Sequence, residues 1–300
     1  MKILVTGSRG QLARSLAEGA AGRPEMDVVL AGRPGLDLLD PASVRATILA
    51  AKPDVVVSAA AYTAVDAAED EPEAAFAVNA AGAAAVAAGA AEAGAAIVQL
   101  STDYVFAGDQ PGERVETDPP DPRNVYGMSK LAGERAVADV NPRHAILRTA
   151  WVYSPFGQNF TTTMLGLAAG RDKVRVVADQ WGNPTAASDL AEGVLRVASA
   201  LAAGDPAASG TFHLAGHGST NWAGFAREIF AQSSRLGGPS AEVEEVVSQD
   251  FPTRAYRPRN SRLSCAKFET TFGWRAPDWR DSCRAVVARM VAKEAPGPTR

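Results

Sequence analysis

Tyr126 and Lys130 stand four residues apart, a spacing that places both on one face of a helix. Thr102 lies upstream, directly after Ser101 at the end of an apolar run. A phenol, an ammonium and a hydroxyl are what carbonyl reduction asks of a protein. The phenol, with an ordinary pKa of about 10, can give a proton to the oxygen as a hydride reaches the carbon. A neighbouring ammonium stabilises the phenolate, so Lys130 is expected to lower the Tyr126 pKa towards working pH. Lys130 can also hold the ribose hydroxyls of a nicotinamide cofactor, and Thr102 can polarise the carbonyl. An isolated Tyr-x-x-x-Lys is usually just a surface helix pair. Here it gains weight from its order after a glycine turn and the strand-end Ser101-Thr102.

That turn is Gly7-Ser8-Arg9-Gly10-Gln11-Leu12-Ala13, between the first strand and the first helix. Glycines at a helix N-terminus offer free N–H groups and a positive dipole end to an anion, which suits a pyrophosphate. The first βα turn of a chain is where dinucleotides are held. Ala13 stands where a third glycine is common and is still small enough for helix–strand packing. The second strand ends in Gly32-Arg33 with no acid there. An acid would repel a ribose 2′-phosphate and Arg33 favours it, so NADPH is the expected reductant and NADH the alternative. Asp37 and Leu38 lie where adenine could be held. Ala59, Ala60 and Ala61 would let a cofactor lie against backbone. The plain alternatives are a ligand-free tight turn and a solvated arginine.

These groups need a sheet to carry them. Lys2–Thr6, Val28–Ala31, Asp54–Ser58, Ile97–Ser101 and His144–Thr149 read as strands. Gln11 to about Glu18, Pro41–Ala51 with Asp40 as cap, Glu73–Ala93 and Ser129–Val140 read as helices between them. The alternation predicts an α/β fold: a doubly wound parallel sheet with a small interleaved C-terminal lobe. Further on, Phe160–Gly170, Ser188–Leu201 and Asn221–Arg235 read as helices, Val174–Ala178 as a strand, and Thr211–Ala215 as a return to the main sheet. The expected division gives residues 1–153 plus about 184–216 to the cofactor domain, and about 154–183 plus 217–300 to the substrate lobe. The tail from Glu294 to Arg300 is expected to fray.

The 300 residues carry a formal net charge of −4, with 46% hydrophobic and 21% charged residues. No basic domain is present, so nucleic acid is not an expected partner. No signal sequence is read, and the longest weakly polar run, Ala74 to Ala91, is mostly Ala and Gly, so no membrane partner is expected. The two cysteines form no paired motif, which fits a reducing, cytoplasmic setting.

Several blocks in order resemble the dTDP-4-dehydrorhamnose reductase family, within the extended short-chain dehydrogenase/reductase superfamily. They are Val5-Thr6-Gly7…Gly10-Gln11-Leu12, Ala59 to Asp66, Ser101-Thr102-Asp103-Tyr104-Val105-Phe106, Asn124 to Glu134, Arg148 to Tyr153, Asp179 to Thr185, and Arg257 to Leu263. The resemblance spans residue 3 to about 280. It implies that Thr102, Tyr126 and Lys130 are catalytic and that Ala59, Ala60, Tyr62 and Thr63 lie beside the cofactor. It also implies that Asp103, Tyr104 and Trp151 line the sugar site. Arg257 and Arg262 are favoured for a diphosphate among the arginines from 254 to 262, and Asn159 joins the substrate-side candidates. Phe251 and Tyr256 could stack a base, and Trp181 could be pocket or core. Ser15 stands where some members carry a glutamate linked to magnesium, so no metal site is carried over and magnesium stays open.

The implied reaction is reduction of dTDP-4-dehydro-L-rhamnose, or another dTDP-linked 4-keto-6-deoxysugar, by a monomer or homodimer. Other readings are a reductase of an antibiotic deoxysugar such as dihydrostreptose, a sugar-nucleotide epimerase or dehydratase, and a noncatalytic cofactor-binding regulatory subunit. Dehydration needs an extra acid, often a Glu directly after the Thr-Asp pair, where Tyr104 stands. Retention of both Tyr126 and Lys130 speaks against the noncatalytic reading.

Overall fold

The computed structural model describes residues 1–294; residues 295–300, most of the tail expected to fray, lie outside the described residues. The first half alternates as β1 (Lys2–Thr6), α1 (Gln11–Ala20), β2 (Asp27–Ala31), α2 (Pro41–Ala51), β3 (Val55–Ser58) and α3 (Val65–Ala68). It continues with α4 (Pro72–Phe76), a π-helical turn (Ala77–Gly82), α5 (Ala83–Glu92), β4 (Ala96–Thr102), α6 (Val125–Val140) and β5 (His144–Thr149). The second half runs β6 (Val152–Tyr153), α7 (Phe160–Ala168), β7 (Lys173–Val177), β8 (Trp181–Gly182), β9 (Thr185–Ala186) and α8 (Ala187–Ala202). It ends with β10 (Gly210–His213), β11 (Thr220–Asn221), α9 (Trp222–Arg235), β12 (Glu242–Val246), α10 (Ala266–Phe272) and α11 (Trp279–Glu294).

Six parallel strands form the main sheet in the order β10-β5-β4-β3-β1-β2. Alternate side chains of each strand face opposite layers, because the side-chain period of a strand is two. Ile3, Val5, Val55 and Val57 pack with Leu12, Leu16, Leu190 and Val194 of α1 and α8. Leu4, Val56 and Ile97 pack on the other face with Val44, Ile48, Val86 and Val137 of α2, α5 and α6. The strand order reverses between β1 and β3, and the chain leaves a crevice there at the carboxyl ends of the strands. A second core joins α7, β7, α9 and α11 through Met164, Val174, Phe225, Ile229, Trp279 and Val287. Helix α10 behaves differently from the expected C-terminal lobe: Phe268 packs on Phe212 of the main sheet.

Two boundaries differ from the sequence reading in ways that matter to the site. Helix α6 starts at Val125 rather than Ser129, because the Asn124 side chain accepts from the Gly127 N–H at 2.7 Å and caps it. The helix expected over Glu73–Ala93 starts at Pro72 and is interrupted by the π turn, which carries Asn79. Its span Pro72–Glu92 is long and apolar enough to cross a membrane by length and composition, yet Ala83, Val86, Ala87 and Ala90 are buried against α2 and α6 in this fold.

Candidate active site

A crevice of about 830 Å³ lies over the strand-order reversal. The β1–α1 loop forms one wall. Gly7 there has φ of +92°, a left-handed conformation suited to glycine, and the start of α1 carries no acidic residue in its first turn. Beside it, a Cβ on Gly32 would come within 2.9 Å of the Ser8 hydroxyl, so the two loops meet closely. Gly7, Arg9, Gly10, Gln11, Leu12, Arg33, Asp37, Leu38, Ala59, Ala60, Ala61, Tyr62 and Thr63 all line the crevice. Arg9 and Arg33 are exposed at its rim. A dinucleotide fits this donor set: free N–H groups at a helix start for phosphates, small side chains for close approach, and cations at the outer end.

The β3–α3 loop is held from two sides. Thr6 Oγ1 accepts from the Ala59 and Ala60 N–H groups at 3.0 and 3.1 Å. Asn79 Oδ1 accepts from the Tyr62 N–H at 2.9 Å, and its amide donates to the Tyr62 carbonyl and to Ser129 Oγ. Ser129 in turn donates to the Tyr126 carbonyl. Asn79 therefore ties the cofactor loop to the helix that bears Tyr126 and Lys130. Sequence reading missed it, although an Asn in an Ala-rich helix is a signal that could have been used.

Tyr126 and Lys130 also line the crevice, side by side on α6. Thr102 ends β4; its hydroxyl donates to Asp103 Oδ1 at 2.9 Å and accepts from the Tyr104 N–H at 3.1 Å. Burial, and then the Asp103 charge, raises the Tyr126 phenol above its ordinary pKa, while hydrogen bonding with Thr102 opposes the rise. The expected lowering by Lys130 is thus not what the protein's own groups produce. Lys130 Nζ donates to the Leu100 carbonyl at 2.6 Å, and burial brings its pKa down to about 8 against the pull of Glu134. Asp103 is buried; desolvation lifts its pKa to about 6, although hydrogen bonds from Ser261 and Thr102 draw it down. Its Oδ2 has no partner among the described residues.

A buried ion pair underlies these groups. Glu134 Oε1 and Oε2 accept from Arg148 Nε and Nη2 at 2.9 and 2.7 Å, and Ser101 Oγ donates to the same carboxylate. The pair joins α6 to β4 and β5 immediately below Thr102. Thr149, whose buried hydroxyl also lacks a partner among the described residues, and Val152 and Gln158 add lining that sequence reading did not assign to the site.

The substrate-side candidates lie outside this crevice lining. The Tyr104 ring meets Tyr126 edge-on, with centroids 5.9 Å apart, and Arg257 Nη1 donates to the Tyr104 hydroxyl at 3.3 Å. Trp151 adopts φ of +48°, and its indole stacks on Trp222 with centroids 3.5 Å apart. Arg262 Nε donates to Asn260 at 2.8 Å. Asn159 caps α7, accepting from the Thr161 and Thr162 N–H groups and donating to the Ser154 and Phe156 carbonyls. Its amide is fully used in local structure, which is why a loop asparagine before a helix should first be read as a cap. Trp181 is 43% exposed, and Phe251 and Tyr256 are exposed as well.

The family described as RmlD substrate binding domain matches residues 1–292. The chain belongs to this family. The RmlD-family chain is 47% identical over 292 residues to the dTDP-4-dehydrorhamnose reductase of Sinorhizobium fredii, covering 97% of this chain and 98% of the relative. Among solved structures, the dTDP-4-dehydrorhamnose reductase of Clostridium acetobutylicum matches with a TM-score of 0.89 at 38% identity, over 97% of this chain and 99% of that one. The Bacillus anthracis dTDP-4-dehydrorhamnose reductase, solved in complex with NADP, matches with a TM-score of 0.89 at 33% identity, over 96% and 99%.

Proposed function

We propose that this RmlD-family chain is an NADPH-dependent reductase of the 4-keto carbon of a dTDP-linked 4-keto-6-deoxyhexose. The first candidate substrate is dTDP-4-dehydro-L-rhamnose, which would yield dTDP-L-rhamnose. The observation that carries the reading is that Tyr126 and Lys130 line the crevice together, with Thr102 against the phenol. The names of the full-length relatives point to the same reaction and to NADP.

The glycine turn and the start of α1 would hold the pyrophosphate, Arg9 and Arg33 the 2′-phosphate, and Ala59 to Thr63 the flat face of the cofactor. A bound reduced nicotinamide supplies the hydride. The Thr102 hydroxyl would turn its single proton from Asp103 to the substrate carbonyl. Tyr126, kept protonated by its burial, gives its proton to the oxygen as the C4–H bond forms. Lys130 holds the ribose hydroxyls and offsets charge as the phenolate develops. The lobe built on α7, β7, α9 and α11 would receive the sugar nucleotide, with Asp103 and Tyr104 lining the sugar.

Product analysis with dTDP-4-dehydro-L-rhamnose and each reduced cofactor tests the reading. Formation of the 4-hydroxy sugar with equal NADPH oxidation is the expected result. Cofactor binding with unchanged keto sugar would favour a noncatalytic subunit instead. Tyr126→Phe should lower kcat by about 10²–10⁴ while NADPH affinity stays near the wild-type value.

A further inference from the structure

Asp66, at the start of α3, joins the two sides of the site from outside the catalytic trio. Its Oδ1 accepts from the Ala255 N–H at 3.0 Å, and its Oδ2 accepts from Arg257 Nη2 at 2.6 Å. Both partners belong to the loop between β12 and α10, which crosses from the second lobe. The Arg257 guanidinium lies 5.9 Å from the centroid of the Tyr104 ring and donates to its hydroxyl, and Tyr104 packs edge-on against Tyr126. The loop is pinned just ahead of Arg257. Arg254 pairs with Asp70, and the Asn124 amide donates to the Tyr256 carbonyl at 2.9 Å.

An arginine has five N–H donors in a rigid fork, and two are used here. A fork held by a carboxylate is pre-organised, so less freedom is lost when its remaining donors meet an anion. The surface exposure of Asp66 keeps the ion pair itself weak as a source of stability. What it fixes is direction. The cofactor loop does not depend on it, because Thr6 and Asn79 hold Ala59 to Tyr62 independently.

We propose that Asp66 is a positioning residue for the sugar-nucleotide side: it anchors the Ala255–Arg257 segment on α3 and thereby sets Arg257 and Tyr104 beside Tyr126. The proposal rests on the function proposed above, and it assigns Asp66 a specific share in substrate affinity.

Asp66→Asn keeps an acceptor oxygen for Ala255 and removes the charge that faces Arg257. In the NADPH-loaded enzyme, the variant should raise both KM for the keto sugar and Kd for dTDP about tenfold, with kcat within about threefold and NADPH affinity unchanged. Arg257→Gln should show a similar loss. The double variant should lose no more than either single one, because the two residues act as one unit. Asp66→Glu should recover part of the affinity. Wild-type KM and Kd in Asp66→Asn would overturn the proposal, as would losses that multiply in the double variant or a matching fall in NADPH affinity. Failure of the proposed function would look different: wild-type enzyme would bind dTDP yet leave the keto sugar unreduced, and the dTDP titrations would still decide the role of Asp66.

Discussion

At the level of single residues, protonation states follow from burial. The raised Tyr126 pKa keeps the phenol in the form that can give a proton. Lys130 titrates near working pH, its pKa brought down to about 8. The ammonium is present below that value and lost above it. Affinity for NADPH should therefore fall as pH rises through about 8, and a fluorescence titration of Lys130→Met should show a weaker affinity without that break. Arg33 offers a charge to a 2′-phosphate, so Arg33→Ala should weaken NADPH binding while leaving NADH binding near wild type; calorimetry with both cofactors checks this. Tyr126, Lys130 and Thr102 were legible because four-residue spacing and a strand end are local patterns. Glu134 stands in the sequence only as the end of a motif, and Asn79 carries no role there. Their meaning lies in bonds to Ser101, Arg148, Tyr62 and Ser129, which stand 14 to 50 positions away.

Among the elements, α6 does most to assemble the site, and its placement is set by close backbone approach and one buried ion pair. A Cβ on Gly133 would come within 2.1 Å of the Asn79 carbonyl oxygen, so α6 and the π turn meet backbone to backbone. Gly133→Ala must push them apart and should destabilise the fold by about 1–3 kcal/mol. Glu134→Gln leaves the Arg148 charge buried without its counter-charge, and should cost about 3–5 kcal/mol; urea unfolding measures both. The early start of α6 is written in the sequence as Asn124 three residues before Gly127, a capping pattern that a start at Ser129 does not use. The π turn was not legible, because nothing in an Ala-rich run marks where an extra residue is accommodated. Inward-facing Asn79 supplies the reason only after its partners are known.

For the whole molecule, the parallel sheet was the most readable feature. Runs such as Val55 to Val57 are apolar at every position, as a strand covered on both faces requires. The second lobe was harder. Strands β8, β9 and β11 have two residues each, too few for any period, and Phe268 joins the main core from a segment expected in the lobe. A cofactor spanning the β1–β3 reversal touches loops from both halves of the sheet, so NADPH at a hundred times its Kd should stabilise the protein by about 2.7 kcal/mol, seen as a rise in Tm. The central claim is that the assembled molecule adds hydride to the sugar at C4 while Tyr126 protonates the oxygen. A single turnover with NADPH deuterated at the transferring position, followed by NMR of the product, tests it most directly. One deuterium on C4 of the sugar is the predicted result; deuterium retained on the cofactor, or found at another sugar carbon, would contradict it.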